Sequence, residues 1–542
     1  MKENGPEPTA QIDASNAQEA KSELREYLHV RQDRRRIFPK AVVVGLASGL
    51  VAVAFRSMLA LGDHLRNRLV AWSHTLPFAG WIAPVLFAAT GSALAILLVR
   101  KGAPEASGSG IPHLEAVLRR HRDFRWRAVL PVKFIGGVLA IGSGLALGRE
   151  GPTVQMGGAV GAGISQWLKA SAQERLTLIS AGAGAGLAAA FNAPLAGLVF
   201  VLEELQRDFR PAVFGAAFLA AATADVVSRF FSGQLPAFAA PSYPTPALAL
   251  LPLFALLGVL CGLLGIAFNR GVLGSLNLFG RIPPNRKIVA GFCVGALVGL
   301  TAYFAPTYVG GGHGIAEAAL HAELPLATLP AIFVLRFVMT LGSYGTGAPG
   351  GIFAPLLALG ALVGLGLGQL AEAWFPSAGV LPGAFAVVGM AAYFTAIVRA
   401  PLTGIVLIVE MTSSYALSLP LLVACFCAYG VAEGLGNLPI YESLLQRDLA
   451  SGKGTQTTHE EPIVLELEVE KDAPFAGRKV RELGLPAGVL LIECRDGHRE
   501  WVPDAETVLL PHTRVTAVVS HAATGGLQAF RDGCSGHHPD RK

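Results

Sequence analysis

Charge is scarce in this chain. Only 15% of its 542 residues are Asp, Glu, Lys or Arg, against about 25% in ordinary soluble domains, which excludes a large water-facing globule. Cysteine is scarcer still. Cys261, Cys293, Cys425, Cys427, Cys494 and Cys534 form neither a CxxC pair nor a metal-ligand spacing, so no disulfide framework, metal site or cofactor is expected. No short apolar run with a basic front opens the sequence, because the first residues are polar and lead into Arg31-Gln-Asp-Arg-Arg-Arg-Ile-Phe-Pro-Lys40. A cleaved leader is therefore not expected. The net charge is only +5, and the basic residues cluster beside apolar segments, as at Arg119 to Arg127 and Arg281 to Lys287. That placement fits membrane topology and not a nucleic-acid partner.

What the chain has instead is apolar length. Hydrophobic residues make up 52% of it, and its mean hydropathy is +0.50. Windows of membrane-spanning size recur at Ala41 to Leu61, Trp81 to Val99, Leu176 to Leu202, Ala247 to Phe268, Ile288 to Phe304 and Leu417 to Leu435. A multi-pass protein in a lipid bilayer follows. The basic run before the first window places a polar segment, 1–38, in the cytoplasm.

The windows are organised by a repeat. Gly110-Ile111 with Glu115-Ala-Val-Leu118 resembles Gly314-Ile315 with Glu317-Ala-Ala-Leu320, an offset of 204 residues from Gly110 to Gly314. Leu130-Pro131-x-x-Phe134 leading to Gly142-Ser143 pairs with Leu329-Pro330-x-x-Phe333 leading to Gly342-Ser343, 199 residues on. Asn192-Ala-Pro-Leu-Ala-Gly197 with Glu203 pairs with Arg399-Ala-Pro-Leu-Thr-Gly404 with Glu410, 207 residues on. Two halves, about 39–235 and 246–447, are expected. In transporters such repeats commonly have opposed topology, with substrate held where broken helices meet near the midplane. The breaks are visible at Gly108-Ser-Gly-Ile-Pro112, Gly148-Arg-Glu-Gly-Pro152 and Gly345-Thr-Gly-Ala-Pro-Gly-Gly-Ile-Phe-Ala-Pro355. Non-helical backbone at membrane depth survives only where protein or a polar cavity surrounds it. Gly admits close backbone approach and Pro stands where a helix would start, so free N–H groups can converge on an anion.

Taken together with Phe191-Asn-Ala-Pro-Leu-Ala-Gly197 and Arg399-Ala-Pro-Leu-Thr-Gly404, these motifs resemble the chloride channel (CLC) family of anion channels and exchangers across residues 40–447. The resemblance implies an all-α polytopic membrane protein, a CLC-type inverted repeat of broken helices, working as a homodimer with one pathway per subunit. It implies that Ser109 offers a hydroxyl to chloride, Ile352 and Phe353 their backbone N–H groups, and Tyr441 its phenol. Gly108, Gly110, Arg149 and Gly151 complete the chloride-binding set. Glu150 becomes the outer gate, Glu204 the inner proton-transfer carboxylate, and Glu203 its supporting neighbour. The chemistry stands without the family name. An ionised carboxylate in an anion-loving pocket mimics the anion and a protonated one should leave, which links a proton to anion occupancy.

Each residue also has a plainer reading. Glu203 and Glu204 could be solvated at a helix end near Arg207 and Arg210, Ser109 could be only an N-cap, and Tyr441 an interfacial anchor. Gly182-Ala-Gly-Ala-Gly186 looks like a dinucleotide loop but lacks a strand and an acidic ribose partner, so close helix packing is expected. His113 and His313 carry no assigned role.

After Arg447 a polar linker, 448–462, precedes a small α+β cytoplasmic domain. Ile463, Leu465, Leu467 and Val469 alternate as in a strand, Pro474 to Leu483 suits a short helix, Val489 to Ile492 begins a strand, Asp496-Gly497 is a turn, and Val515 to Val519 ends the set. Over 463–520 this portion is similar to TrkA-C (RCK-C) domains, through Gly477-Arg-Lys-Val-Arg-Glu-Leu-Gly-Leu-Pro486 and Val502-Pro-Asp-Ala-Glu-Thr507. It departs from the paired CBS domains of eukaryotic relatives, so adenine-nucleotide regulation is not expected, and a small-molecule regulator of unspecified class is what such a module implies. The tail, 521–542, is expected to be disordered.

The functional expectation is a secondary transporter exchanging chloride, bound as substrate, for protons, in a bacterial inner membrane with both termini cytoplasmic. The alternative is a passive voltage- or pH-gated chloride channel on the same fold. Glu150 does not separate the two; Glu204 favours exchange. An enzyme is not expected, since no nucleophile–base pair or metal-ligand set is present.

Overall fold

The computed structural model describes residues 8–76, 78–207, 209–450, 463–497, 499–520 and 524–535, with side chains from Arg35 onward. Two compact units divide the chain, Met1–Thr455 and Gln456–Lys542.

The first unit is helical throughout. Its opening half runs α1 (Pro8–Ser73), α2 (Ile82–Gly102), α3 (Ile111–Leu118), α4 (Trp126–Gly142), α5 (Glu150–Trp167), α6 (Ala172–Phe191), α7 (Pro194–Phe200) and α8 (Pro211–Ser232). Its second half runs α9 (Leu251–Gly280), α10 (Lys287–Phe304), α11 (His313–Leu320), α12 (Leu329–Gly345), α13 (Phe353–Trp374), α14 (Pro382–Val398), α15 (Pro401–Thr412) and α16 (Ser418–Gly434), and α17 (Ile440–Ala450) follows. The second set repeats the first in order and relative length. Among the described residues eight helices are long and apolar enough to cross a membrane. The expected polar segment 1–38 is not a separate piece, since α1 runs continuously from Pro8 through Pro39 into the first span.

The helices break where Gly and Pro predicted. The apolar window Leu176 to Leu202 is not one span: Asn192 adopts φ +53 at the end of α6 and Pro194 starts α7. At Pro194 a helix cannot continue, because the ring lacks an N–H and fixes φ. The 182–186 glycines are packing elements: Gly182 and Gly186 lie on the backbone of α5 at Gly157 and Thr153, and Gly184 on that of α7 at Gly197. The same logic joins the halves at α2 and α10. A Cβ added to Gly295 would stand 2.5 Å from the carbonyl oxygen of Ala88, and Ser92 Oγ donates to Gly291 O at 2.8 Å. Small residues let backbones approach in lipid, where apolar burial gives helices little reason to associate.

The repeat register differs from the sequence offsets in two places. Gly110 and Gly312, both left-handed at φ +82 and +89, are the equivalent N-caps of α3 and α11, an offset of 202 and not 204. The ends of α4 and α12, Gly142 and Gly345, and the starts of α5 and α13, Glu150 and Phe353, both lie 203 apart. Leu130-Pro131 therefore does not match Leu329-Pro330; the similarity is one helical turn out of register, and Lys133 corresponds to Arg336.

The second unit is a four-stranded antiparallel sheet of β1 (Ile463–Glu468), β2 (Val489–Asp496), β3 (Arg499–Trp501) and β4 (Arg514–Val519), in the order β1-β4-β2-β3. A β-bulge at Leu491/Glu493 resets the register between β2 and β4. The helix expected over Pro474 to Leu483 is only a 3-10 turn at Val480–Glu482. That segment is tied to its neighbour by Gly477 N→Leu509 O at 2.7 Å and Val480 N→Thr507 O at 2.9 Å, which spends the donors a helix would use. The expected disordered tail is also corrected. Helix α18 (Thr524–Cys534) folds back, and its Phe530 and Cys534 are buried with Phe475, Leu491, Leu509 and Val515. An amphipathic helix covering one sheet face closes a core that the strands alone leave open. Most of the expected linker lies outside the described residues, as does the tail beyond 535.

Candidate functional site

Backbone hydrogen bonds bring the three Gly-rich loops together. Gly108 N donates to Ala348 O at 3.2 Å and Gly350 N to Gly108 O at 3.0 Å, while Gly148 and Gly351 exchange a pair at 2.6 and 2.8 Å. Ser109 then packs on Gly151, where a Cβ would stand 2.9 Å from Ser109 Cβ. Only glycine allows that approach. The first N–H groups of α5 and α13 have no intrahelical acceptor, and both helix starts meet at this buried point.

Glu150, at the first position of α5, is 2% exposed. Its carboxylate faces the backbone N–H groups of Glu150 and Ala354 and lies 3.7 Å from Arg149 Nε, with Oε2 buried and unpartnered. A carboxylate therefore occupies the point where two helix N-termini favour negative charge. Arg149 is N-cap of α5 and reaches Ala190 O at 3.3 Å. Ile352 and Phe353 are N-cap and first residue of α13, and both are buried. Ser109 is buried, and its Oγ accepts from Ile111 N at 3.4 Å. Lys133, fully buried, holds this loop by donating to Ala106 O at 3.0 Å and Gly108 O at 2.6 Å. Gly108 and Gly110 stay in the left-handed region at φ +59 and +82. Tyr441, on the first turn of α17, is fully buried and its hydroxyl has no protein partner.

Two residues that the sequence did not single out join the site. Tyr344, at the end of α12, brings its phenol oxygen within reach of the hydroxyl and backbone N–H of Ser109. Glu115, on α3, is 1% exposed, with neither carboxylate oxygen hydrogen-bonded and Arg119 Nη2 4.0 Å from Oε2, and it lies near enough to Glu204 for the two charges to interact. Glu115 was visible only as a repeat signature; nothing in its spacing pointed to Glu204.

Glu204 lies in a π-turn, Val201–Leu205, after α7, buried with Oε1 unpartnered. It is thus no solvated helix end. Around it Arg119 donates to Glu442 at 2.9 Å and Arg207 lies 3.9 Å from the same carboxylate. Glu203 does something else. It accepts from Leu402 N at 3.1 Å and from Thr403 N and Oγ1 at 2.7 Å each, capping α15 of the other half. Both its oxygens are occupied by that cap, while its charge also acts on the neighbouring Glu204. His113 Nδ1 lies 3.3 Å from Gln155 Nε2 and its ring packs edge-on to Phe124.

Broken helices from two repeated halves that aim N-termini at a carboxylate and a hydroxyl define a membrane ion-transport protein of the inverted-repeat class. The family model described as voltage gated chloride channel matches residues 91–433, and the chain belongs to that family. A TrkA-C domain model matches residues 464–530. The chain is 42% identical to the H(+)/Cl(-) exchange transporter ClcA of Vibrio cholerae over 424 residues, 76% of this chain and 90% of that protein. To its namesake in Cronobacter sakazakii it is 41% identical over 416 residues, covering 76% and 89%. Among solved structures it is similar to a slow cyanobacterial Cl-/H+ antiporter, with a TM-score of 0.74 and 38% identity, covering 77% of this chain and 98% of the other.

Proposed function

We propose that this protein exchanges chloride for protons across the membrane. The observation that carries the reading is Glu150. Its carboxylate sits where the N-termini of α5 and α13 meet, so an anion and this side chain compete for one position. Chloride moves along Ser109, Tyr441 and the N–H groups of Ile352 and Phe353, with the backbone of Gly108, Gly110, Arg149 and Gly151 around it. Protons reach Glu150 from the inner side through Glu204, with Glu115 beside it. The transporter names of relatives more than 40% identical support this reading over the passive channel, as does a buried carboxylate at Glu204. The working unit is a homodimer in the bacterial inner membrane. Both termini are cytoplasmic, on the side of the basic cluster Arg119 to Arg127. The C-terminal unit serves regulation.

The test is reconstitution of the purified protein in liposomes under a chloride gradient. Uphill proton movement driven by chloride is expected. Chloride flux that leaves the proton gradient untouched would identify a channel.

A further inference from the structure

The repeat offers a second place for an anion, in the half that carries α11. Lys133 and Arg336 are equivalent residues, both fully buried, and they make equivalent contacts. Lys133 donates to Ala106 O in the loop before α3, and Arg336 Nη1 donates to Tyr308 O at 2.9 Å in the loop before α11. There the likeness ends. Arg336 Nε and Nη2 are buried without a partner, and among the described residues no carboxylate pairs with this guanidinium. These two nitrogens form the edge whose N–H bonds run parallel, the edge that grips an anion. An uncompensated buried charge costs several kcal/mol, so a counter-ion is the natural completion.

The spare edge points at a helix start. Nη2 lies 2.9 Å from where a Cβ of Gly312 would stand, and Gly312 is the left-handed N-cap of α11, with no side-chain cap. The N–H groups of His313 and Gly314 have no intrahelical acceptor, and space is open beside Gly314. Arg56 and Arg149 act electrostatically on His313, adding positive charge; Glu317, 3.7 Å from His313 Nε2, is the acid of the next turn. Gly311 adjoins Leu147 O and Ala354, the residue whose N–H faces Glu150.

We infer that Arg336 and the N-terminus of α11 bind a monovalent halide at a site separate from the Ser109–Glu150 pathway and next to its gate. The inference rests on the reading of the protein as an anion carrier. The site is the repeat counterpart of the loop that presents Ser109, with the guanidinium fork in place of the hydroxyl. An anion held there would wait beside Glu150 and enter when that side chain leaves.

The experiment is diffraction from crystals of the full-length protein grown with bromide, using anomalous scattering, for wild type and Arg336→Met, with chloride uptake measured in parallel. Wild type is expected to show a peak within hydrogen-bonding distance of Arg336 Nε and Nη2 and the first N–H groups of α11. Arg336→Met should lose that peak, keep the one at Ser109, Ile352 and Phe353, and require severalfold more chloride for half-saturation while still pumping protons. A wild-type map with bromide at Ser109 and none at Arg336 overturns the inference and leaves the transport reading intact. A map empty at both overturns both. The wild-type map decides the matter even where Arg336→Met fails to fold.

Discussion

Glu203 and Glu410 each cap a helix of the opposite half. Glu203 receives the first N–H groups of α15 at 3.1 and 2.7 Å, and Glu410 receives those of α7 at Leu195 and Ala196, again at 3.1 and 2.7 Å. Two ends that would otherwise leave N–H groups unmet inside a membrane protein are closed by carboxylates crossing the repeat interface. The exchange is reciprocal, so it ties the halves together at both ends of α7, and the Glu203 end is the one beside Glu204.

Glu203→Gln should therefore cost stability and not coupling. The amide keeps one acceptor but loses the charge, and the loss is roughly 1–3 kcal/mol, as for a buried hydrogen bond to a charged group. Glu410→Gln should cost about the same. Thermal unfolding in detergent measures the first effect and proton pumping the second. If Glu203→Gln folds as wild type does but no longer moves protons, Glu203 belongs to the proton route after all.

Glu204→Gln should do the reverse. The amide preserves size and packing but cannot carry a proton, so proton movement should stop while chloride flux persists. Glu204 is buried beside Glu115 with an unpartnered oxygen, a place where a carboxylate serves function better than stability. Coupling unchanged in this variant would remove Glu204 from the pathway.

Much of this site was legible because its parts are backbone features with strong sequence marks. Gly and Pro at 108–112, 148–152 and 345–355 announced helix starts, and the structure stitches those loops to one another. What stayed hidden depends on contacts distant in sequence. Glu203 and Glu204 are neighbours in one turn, yet they face different partners, and no spacing rule tells which carboxylate reaches α15. Tyr344 reads as one more residue of a Gly-rich run until α12 brings it to Ser109. The repeat was visible, but apolar segments resemble each other well enough to slip by one turn, which concealed the equivalence of Lys133 and Arg336. In the C-terminal unit, Gly533 and Cys534 looked like a polar tail. Their backbone contacts, Phe475 N→Gly533 O and Glu470 N→Cys534 O at 2.9 Å each, are what make them part of the fold.

Phe530 tests that last point. It is fully buried against Phe475, with ring centroids 6.1 Å apart, and truncating such a side chain to Ala costs roughly 3–5 kcal/mol, most of what a domain this small can hold. The thiols report the outcome. Burial pushes Cys494 up to about 11 and Cys534 up to about 12, so neither should react with a maleimide at neutral pH in the folded domain. In Phe530→Ala both should label at the rate of an unfolded chain. Slow labelling in that variant would mean α18 is dispensable to the core.

On the proposed function Glu150 is the outer gate: ionised, its carboxylate should fill the anion position between the starts of α5 and α13 and hold the outer pathway shut, and neutral it has no reason to stay there. Glu150→Ala removes the plug and the exchanged proton together. It leaves Ser109, the N–H groups of Ile352 and Phe353, and the loop contacts of Gly148 with Gly351 in place. Chloride should then flow passively, at rates that no longer depend on pH and with no proton counterflow. Glu150→Gln, nearly isosteric and neutral, should imitate the protonated state and uncouple transport in the same way. Liposome flux assays with a chloride electrode and a pH electrode read both ions at once. Protons still driven uphill in either variant would show that another carboxylate carries the coupling.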